Sequence, residues 1–274
     1  MIRPGRASYF MENEEEALRL DMKTDVDAVR KQALWAGVAP GMRVCDMGCG
    51  SGKATAVLRE IVGDKGMVVG VDFSEDRIAY AREHYSVRGV EFTCRRFDDS
   101  LEGLDFFDLV WMRFVLVYFP VTAPDIVRRV SCILKPGGTL CLLDLDHNCL
   151  NHHGMPARLE RTFCRAVSML EEERIFDPYA GRKLYSYLFD LGFENIDVGM
   201  FPHHLIFGPL KDVDGFNWTK KIEVVARKLG HPFDEYPGGY EEFLEEFKNF
   251  FESPRRFTYT PLIGCKGQRP LTVS

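Results

Sequence analysis

The sequence lacks any unbroken run of the roughly eighteen apolar residues that a membrane-spanning helix requires. Its most apolar stretch, Phe106 to Phe119, is interrupted by Asp108 and Arg113. An apolar leader is also missing from the start, where Glu14, Glu15 and Glu16 follow one another, so a cytoplasmic location without membrane attachment is expected. There is no basic excess. Lys and Arg number 35 against 41 Asp and Glu, for a net charge of -6, which leaves no broad electrostatic footprint for nucleic acid or for an anionic membrane. No CxxC pair occurs among the eight cysteines. A disulfide framework or a zinc site is therefore not expected, and the cysteines read as reduced, buried small hydrophobes.

What remains suits a soluble α/β chain. Its 274 residues, 46% hydrophobic and 28% charged, are enough for one large domain with an elaborated cap. From Arg43 onward, apolar strand-like runs alternate with helical patterns. RVCDM, MVVGVD, VEFTC, FFDLVWM and TLCLLDL read as parallel strands, apolar throughout because both faces are covered. KATAVLREIV, SEDRIAYAREHY and the segment from Asp125 to Leu134 read as the helices between them. KPGG punctuates the chain ahead of the fifth strand. Two more strands, NIDVGMFPHHLIF and RFTYTPLIGC, are expected to pair with each other. The fold class is thus a doubly wound, mostly parallel seven-stranded Rossmann-like sheet with a helical cap.

The expected organisation is an N-terminal helical cap over 1–40, a cofactor-binding core over 41–146, and helices with the sixth strand over 147–207. A helical insertion at 208–255 and a final strand and tail at 256–274 complete it. Trp218, Ile222, Val225 and Leu229 form one apolar stripe in the insertion, and Tyr240, Phe243, Phe247 and Phe250 form another; stripes at this spacing are core first.

The densest chemical signal is Asp46-Met47-Gly48-Cys49-Gly50-Ser51-Gly52, set between a strand and a helix. Glycines there allow a tight turn and close approach of a ligand to backbone, beside the N–H groups that open the helix. A P-loop is excluded, because Gly52-Lys53 is followed by Ala54 and Met47 stands where its first glycine belongs. A dinucleotide fingerprint is weakened, because the third glycine comes one residue early.

D-x-G-C-G-x-G resembles the first motif of the class I S-adenosylmethionine-dependent methyltransferases. The resemblance implies that Gly48, Cys49, Gly50 and Gly52 wrap the methionine part of S-adenosylmethionine and that Asp46 helps position its ammonium. GVDFSEDRIAYAR is similar to the family's second motif, which gives Asp72 the ribose hydroxyls and Phe73 the adenine face. Phe97-Asp98-Asp99 resembles the step that recognises the adenine amine, and LKPGG is a further habit of the family. Arg113, after the fourth strand, and Arg19, in the N-terminal helix, are candidates to orient the cofactor carboxylate. Asp46, Asp72, Asp98 and Asp99 could each instead be caps or turn residues.

Methyl transfer relies largely on alignment, and a general base is needed only for a protonated acceptor. Asp144, Asp146 and His147, after the fifth strand, are the base candidates, with His152, His153, His203 and His204 further along; no metal site is expected. Amide and adenine N-methyltransferases carry an Asn- or Asp-Pro-Pro-aromatic step where this chain reads Trp111-Met112-Arg113-Phe114. The Pro-Cys step of cytosine-5 enzymes is missing too. A small-molecule acceptor under the cap is therefore expected, with a second copy of the chain the one macromolecular partner left open. Two other readings remain open from sequence alone: an NAD(P)-dependent oxidoreductase, and an S-adenosylmethionine-binding protein without turnover.

Overall fold

In the computed structural model, residues 11–13, 15–97, 101–104, 106–229 and 233–271 are described, with 228 and 229 described by backbone alone. The strand-helix alternation begins with α1 (Glu16–Lys23) and α2 (Val26–Ala36), which lead into β1 (Arg43–Met47). Then come α3 (Lys53–Val62), β2 (Met67–Asp72), α4 (Glu75–Tyr85), β3 (Val90–Cys94) and β4 (Phe107–Arg113). The helix boundaries have local causes. Asp25 caps α2 by accepting from Ala28 N at 3.0 Å, and α2 ends on Gly37 with φ +95°, the left-handed conformation that costs glycine least.

After α5 (Ala123–Ser131) and β5 (Leu134–Leu145) come the short β6 (His152–His153), α6 (Ala157–Glu172) and α7 (Leu184–Asp190). The chain closes with β7 (Glu194–Phe207), α8 (Asp212–Leu229), α9 (Gly239–Glu252) and β8 (Phe257–Gln268). The sheet order is β3-β2-β1-β4-β5-β8-β6, with β7 also paired to β8. β1 to β5 are mutually parallel and β8 runs antiparallel to both β5 and β7.

Alternation along β1 sorts its side chains between the two faces. Cys45 and Met47 join the core shared with α5 and α7, whereas Val44 packs with Ala33, Leu58 and Val62 of α2 and α3. A strand buried on both sides has to be apolar at every position, which is why these strands read as continuous runs. A third cluster, from α6, α8 and α9, holds Leu159, Phe163, Trp218, Ile222, Phe243 and Phe247 around Ile206 of β7. α8 and α9 lie in the connection between β7 and β8.

The mostly parallel Rossmann-like sheet is as expected, and the two-residue β6, which leaves no period to read, brings the strands to eight among the described residues. Two expectations need correction. The helix expected to reach Leu134 ends at Ser131, and β5 begins at Leu134, ahead of KPGG. Cys94, Cys132 and Cys164 are exposed; of the other five, four are buried and Cys149 is partly so. No helix among the described residues is long and apolar enough to cross a membrane.

Candidate functional site

The chain runs outward from β1 through β2 to β3, then returns to β4 on the other side of β1. Loops leaving β1 and β4 diverge at this reversal and open a crevice at the carboxyl edge, where ligands bind in sheets of this kind. The first cavity lies there. Its wall includes Asp46, Gly48, Cys49, Gly50 and Ser51 from β1 and its loop, Asp72 and Phe73 from β2, and Phe97 after β3. Trp111, Arg113, Phe114, Val115, Tyr118 and Phe119 close one side, and Leu20, Lys23 and Thr24 the other.

The glycine loop fits this place because only glycine can. Gly48 has φ +84°, and a Cβ there would sit 2.4 Å from Val115 Cγ2. Gly52, at φ +86°, would meet Ala81 Cβ at 2.8 Å, so it serves the packing of the loop on α4 rather than the cavity wall. The loop is fastened to β2: the Gly48 and Cys49 N–H groups donate to Val71 O at 2.7 and 3.0 Å.

Asp46 is buried and accepts from Thr55 Oγ1 at 2.6 Å. Burial lifts its carboxyl to about 6, against the pull of that hydroxyl and of Arg113. Asp72 Oδ1 accepts from Ser74 N at 3.0 Å and from Arg77 Nε and Nη2 at 3.1 and 2.9 Å. Its Oδ2 accepts from Gly50 N at 2.9 Å, so Oδ2 is the less occupied oxygen. Arg77 also pairs with Glu12.

Phe73 and Phe97 meet edge to face at 6.2 Å, and Phe97 meets Phe119 at 5.9 Å. Arg113 donates from Nε to Gln32 Oε1 at 3.0 Å and lies 4.0 Å over the Phe114 ring; burial lowers it to about 10. Asp98 and Asp99 lie outside the described residues.

This wall suits S-adenosylmethionine. It offers the carboxylates of Asp46 and Asp72, the rings of Phe73 and Phe97, and a buried Trp111 Nε1–H without a hydrogen-bond partner.

Arg19 is placed differently from the expectation. It lies buried behind the wall, held by Glu16 at 2.6 and 2.7 Å and by Asn217 Oδ1 at 2.6 Å. Lys23, one helical turn further on, is the α1 cation in the wall, four residues on being the same helix face. The pattern EEEALRLDMK does not say which turn of α1 reaches the edge, so Lys23 was not legible as a site residue.

A second cavity continues from the first. It is lined by Phe114, Val117 and Tyr118 after β4, by Thr162, Phe163, Val167 and Leu170 of α6, and by Trp218, Lys221, Ile222 and Val225 of α8. His203 and His204 of β7, with Asn148 and Cys149 after β5, also face it. Lys23, Phe114 and Tyr118 line both cavities. Phe114, Cys149 and His204 hold φ of +61°, +66° and +46°, a conformation that costs a bulky residue energy and tends to persist where a site requires it.

The base candidates after β5 do not reach either cavity wall. Asp144 accepts from Val117 N at 3.0 Å and from Leu145 N at 2.8 Å, pinning the turn after β4. Asp146 is bound by Arg182 at 2.9 Å, and His147 pairs with Asn151 Oδ1 at 2.7 Å. β5 is flanked closely by β4 and β8, so the residues at its end are spent on holding loops. His152 is enclosed by Phe163, Trp218, Phe250 and Phe251, and burial lowers it to about 4. His203 and His204 are the imidazoles that face the second cavity; burial first, then nearby cations, lower both.

Burial raises Asp144 to about 7, against the backbone N–H donors of Leu145, Val117 and Leu116. The folded state therefore holds this proton more tightly than the unfolded chain, where an aspartate titrates near 4. The stability it contributes is full below about pH 4 and is lost as pH rises through about 7. Urea unfolding at pH 5 and pH 8 should show the native chain losing stability relative to Asp144→Asn; parallel pH profiles would contradict the assignment.

A family model described as a methyltransferase domain matches residues 39–188. The chain belongs to this family, in the class whose cofactor is S-adenosylmethionine. Over 142 residues it is 32% identical to the ubiquinone/menaquinone biosynthesis C-methyltransferase UbiE of Shewanella woodyi, an alignment covering 47% of this chain and 56% of that protein. The chain thus spans about half the length of the curated relatives it matches. Among solved structures, it resembles a cyclopropane-fatty-acyl-phospholipid synthase-like protein from Lactobacillus casei, with TM-score 0.58 and 14% identity over 94% of this chain and 97% of that one. It also resembles the YcgJ protein of Bacillus subtilis, with TM-score 0.56 and 15% identity over 90% and 99% of the two chains. At these identities the structural likenesses establish the fold.

Proposed function

We propose that this chain transfers a methyl group from S-adenosylmethionine to a small, largely apolar acceptor held beneath α6 and α8, in a cytoplasmic setting. The observation that carries the reading is the pair of adjoining cavities that share Lys23, Phe114 and Tyr118. One cavity has the charged and aromatic wall suited to the cofactor, and the other is apolar and wide enough for an acceptor.

When bound, S-adenosylmethionine supplies a methyl group on a sulfonium. The chain's own residues do the rest. Asp46 holds the amino-acid end, Asp72 Oδ2 accepts from the ribose, and Phe73, Phe97 and Phe119 flank the adenine. Phe114 and Tyr118 set the approach between the two cavities, so that the acceptor is presented in line. The apolar walls from Phe163, Trp218 and Ile222 exclude water, which protects the electrophile and strengthens electrostatic contacts. His203 and His204 can accept or donate hydrogen bonds at the acceptor without adding charge.

Calorimetry should show S-adenosylmethionine and its demethylated product binding in the micromolar range, about -8 kcal/mol. Label from the methyl group should then pass to an acceptor in a panel of apolar metabolites. Tight binding of NAD, with no response to either sulfur ligand, would sink the reading.

A further inference from the structure

The second cavity is mostly hydrocarbon, yet two primary amines stand in its wall. Lys23 Nζ lies 5.4 Å from the Phe114 ring centroid, and Lys221 Nζ lies 4.6 Å from that of Trp218. No Asp or Glu is among the described residues that line this cavity. The carboxylate that reaches toward the amines from α1 is Glu16, and it is already taken by Arg19 through contacts of 2.6 and 2.7 Å. Arg113, in the wall of the first cavity, is a further cation, and Asp46 of that same wall is the carboxylate acting on it. Burial first, and then the Arg19 guanidinium, depress both lysines. Unpaired cations in an apolar wall are costly, and proteins keep them there when something anionic answers them.

A hydrogen-bond relay adds a neutral donor to the same wall. Arg19 Nη1 donates to Asn217 Oδ1 at 2.6 Å, which fixes the orientation of the amide. Asn217 Nδ2 therefore donates to His204 Nε2 at 3.2 Å. With Nε2 an acceptor, the neutral ring carries its proton on Nδ1, and that buried nitrogen has no partner. Arg19 is thus a positioning residue, acting through Asn217 on His204. Two amines in a wall without a carboxylate among the described residues call for a ligand oxygen of negative charge.

We propose that the acceptor carries an ionised oxygen acid, a carboxylate or a phenolate, on an apolar body, with the anionic oxygen held by Lys23 and Lys221. This deepens the methyl-transfer reading and rests on it for the word acceptor. Because Lys23 lines both cavities, the anionic group sits at the junction, and the methylated atom is that oxygen or one conjugated to it.

The test is a matched set of probes of one shape: naphthalene-2-carboxylate, 2-naphthol and the neutral naphthalene-2-carboxamide. Each is titrated calorimetrically into the whole chain, alone and saturated with S-adenosylhomocysteine. One acid should bind at least ten-fold tighter than the amide, and which acid it is distinguishes a carboxylate from a phenolate. In Lys23→Met/Lys221→Met the gap should shrink to within two-fold while the amide binds as before. The variant should unfold at no lower temperature than the native chain, because it removes half-buried amines from a wall that offers them no carboxylate among the described residues. Equal affinities, no detectable binding of either acid, or a gap that survives in the variant would overturn the proposal. The methyl-transfer reading fails separately: if S-adenosylhomocysteine does not bind but the acid preference and its loss are seen, the anion site stands and the transfer chemistry falls.

Discussion

Asp72→Ala should weaken S-adenosylhomocysteine binding by ten- to a hundred-fold and lower the stability of the unliganded chain by about 3 kcal/mol. The two effects have separate origins. Asp72 Oδ1 receives Ser74 N and two nitrogens of Arg77, and Oδ2 receives Gly50 N. Removing the carboxylate leaves a buried guanidinium with Glu12 as a remaining carboxylate partner, which places the penalty at the lower end for a broken buried pair. It also frees the Gly50 end of the glycine loop and takes away the charged acceptor proposed for the ribose. Asp72→Asn separates the two effects. Its one oxygen can still accept from Gly50 N and from a ligand hydroxyl, but its amide nitrogen then faces the Ser74 and Arg77 donors. It should therefore keep more affinity than Asp72→Ala while losing stability. Calorimetry with denaturant unfolding reads both quantities. Unchanged affinity in a folded variant would leave Asp72 as an organiser of Arg77 and α4, with no part in binding.

Phe247→Ala should cost about 3–5 kcal/mol, as expected when a buried aromatic ring is truncated. Phe247 is 1% exposed and packs on Phe163 at 5.8 Å and on Phe251 at 4.6 Å, between α6 and α9. It is not in the wall of either cavity, so any effect on function passes through the helices that cover the acceptor. Surface pairs such as Arg158 with Glu242 and Glu246 are too solvated to compensate. Turnover should fall well over ten-fold through a higher KM for the acceptor, while S-adenosylhomocysteine affinity stays within about three-fold. Comparable losses in cofactor binding would show that α6, α8 and α9 fold as one cooperative unit with the sheet and do not act as a separable cover.

Much of the sheet was legible because a strand buried on both faces must be apolar throughout, and RVCDM and MVVGVD show that without any tertiary information. The last two strands were legible as strand-like runs on either side of a helical pattern, although β7 is largely exposed. The two-residue β6 was not, since it owes its existence to a neighbour, β8. Nor was the early start of β5, where pairing with β4 overrides the Lys-Pro-Gly-Gly punctuation.

The family resemblance singled out the glycine loop, Asp46, Asp72, Phe73 and Phe97, and Asp46, Gly48, Asp72, Phe73 and Phe97 share one cavity wall because the topology brings the end of each parallel strand to one edge. By itself, then, the sequence determined the sheet, its carboxyl edge and the chemistry gathered there, since these follow from local pattern and strand order. Only the tertiary structure decided which polar residues face a ligand and which hold the scaffold. Asp144, Asp146 and His147 stand as near a strand end as Asp72 does, yet neighbouring backbone and Arg182 occupy them. Lys23, His203 and Lys221 come from an N-terminal helix, a late strand and an inserted helix, and no spacing relates them. They meet because β7 and α8 bury Ile206, Trp218 and Ile222 in one core, while α1 is tied to α8 by the buried Arg19–Asn217 contact, and these non-local contacts carry their polar ends to a single cavity.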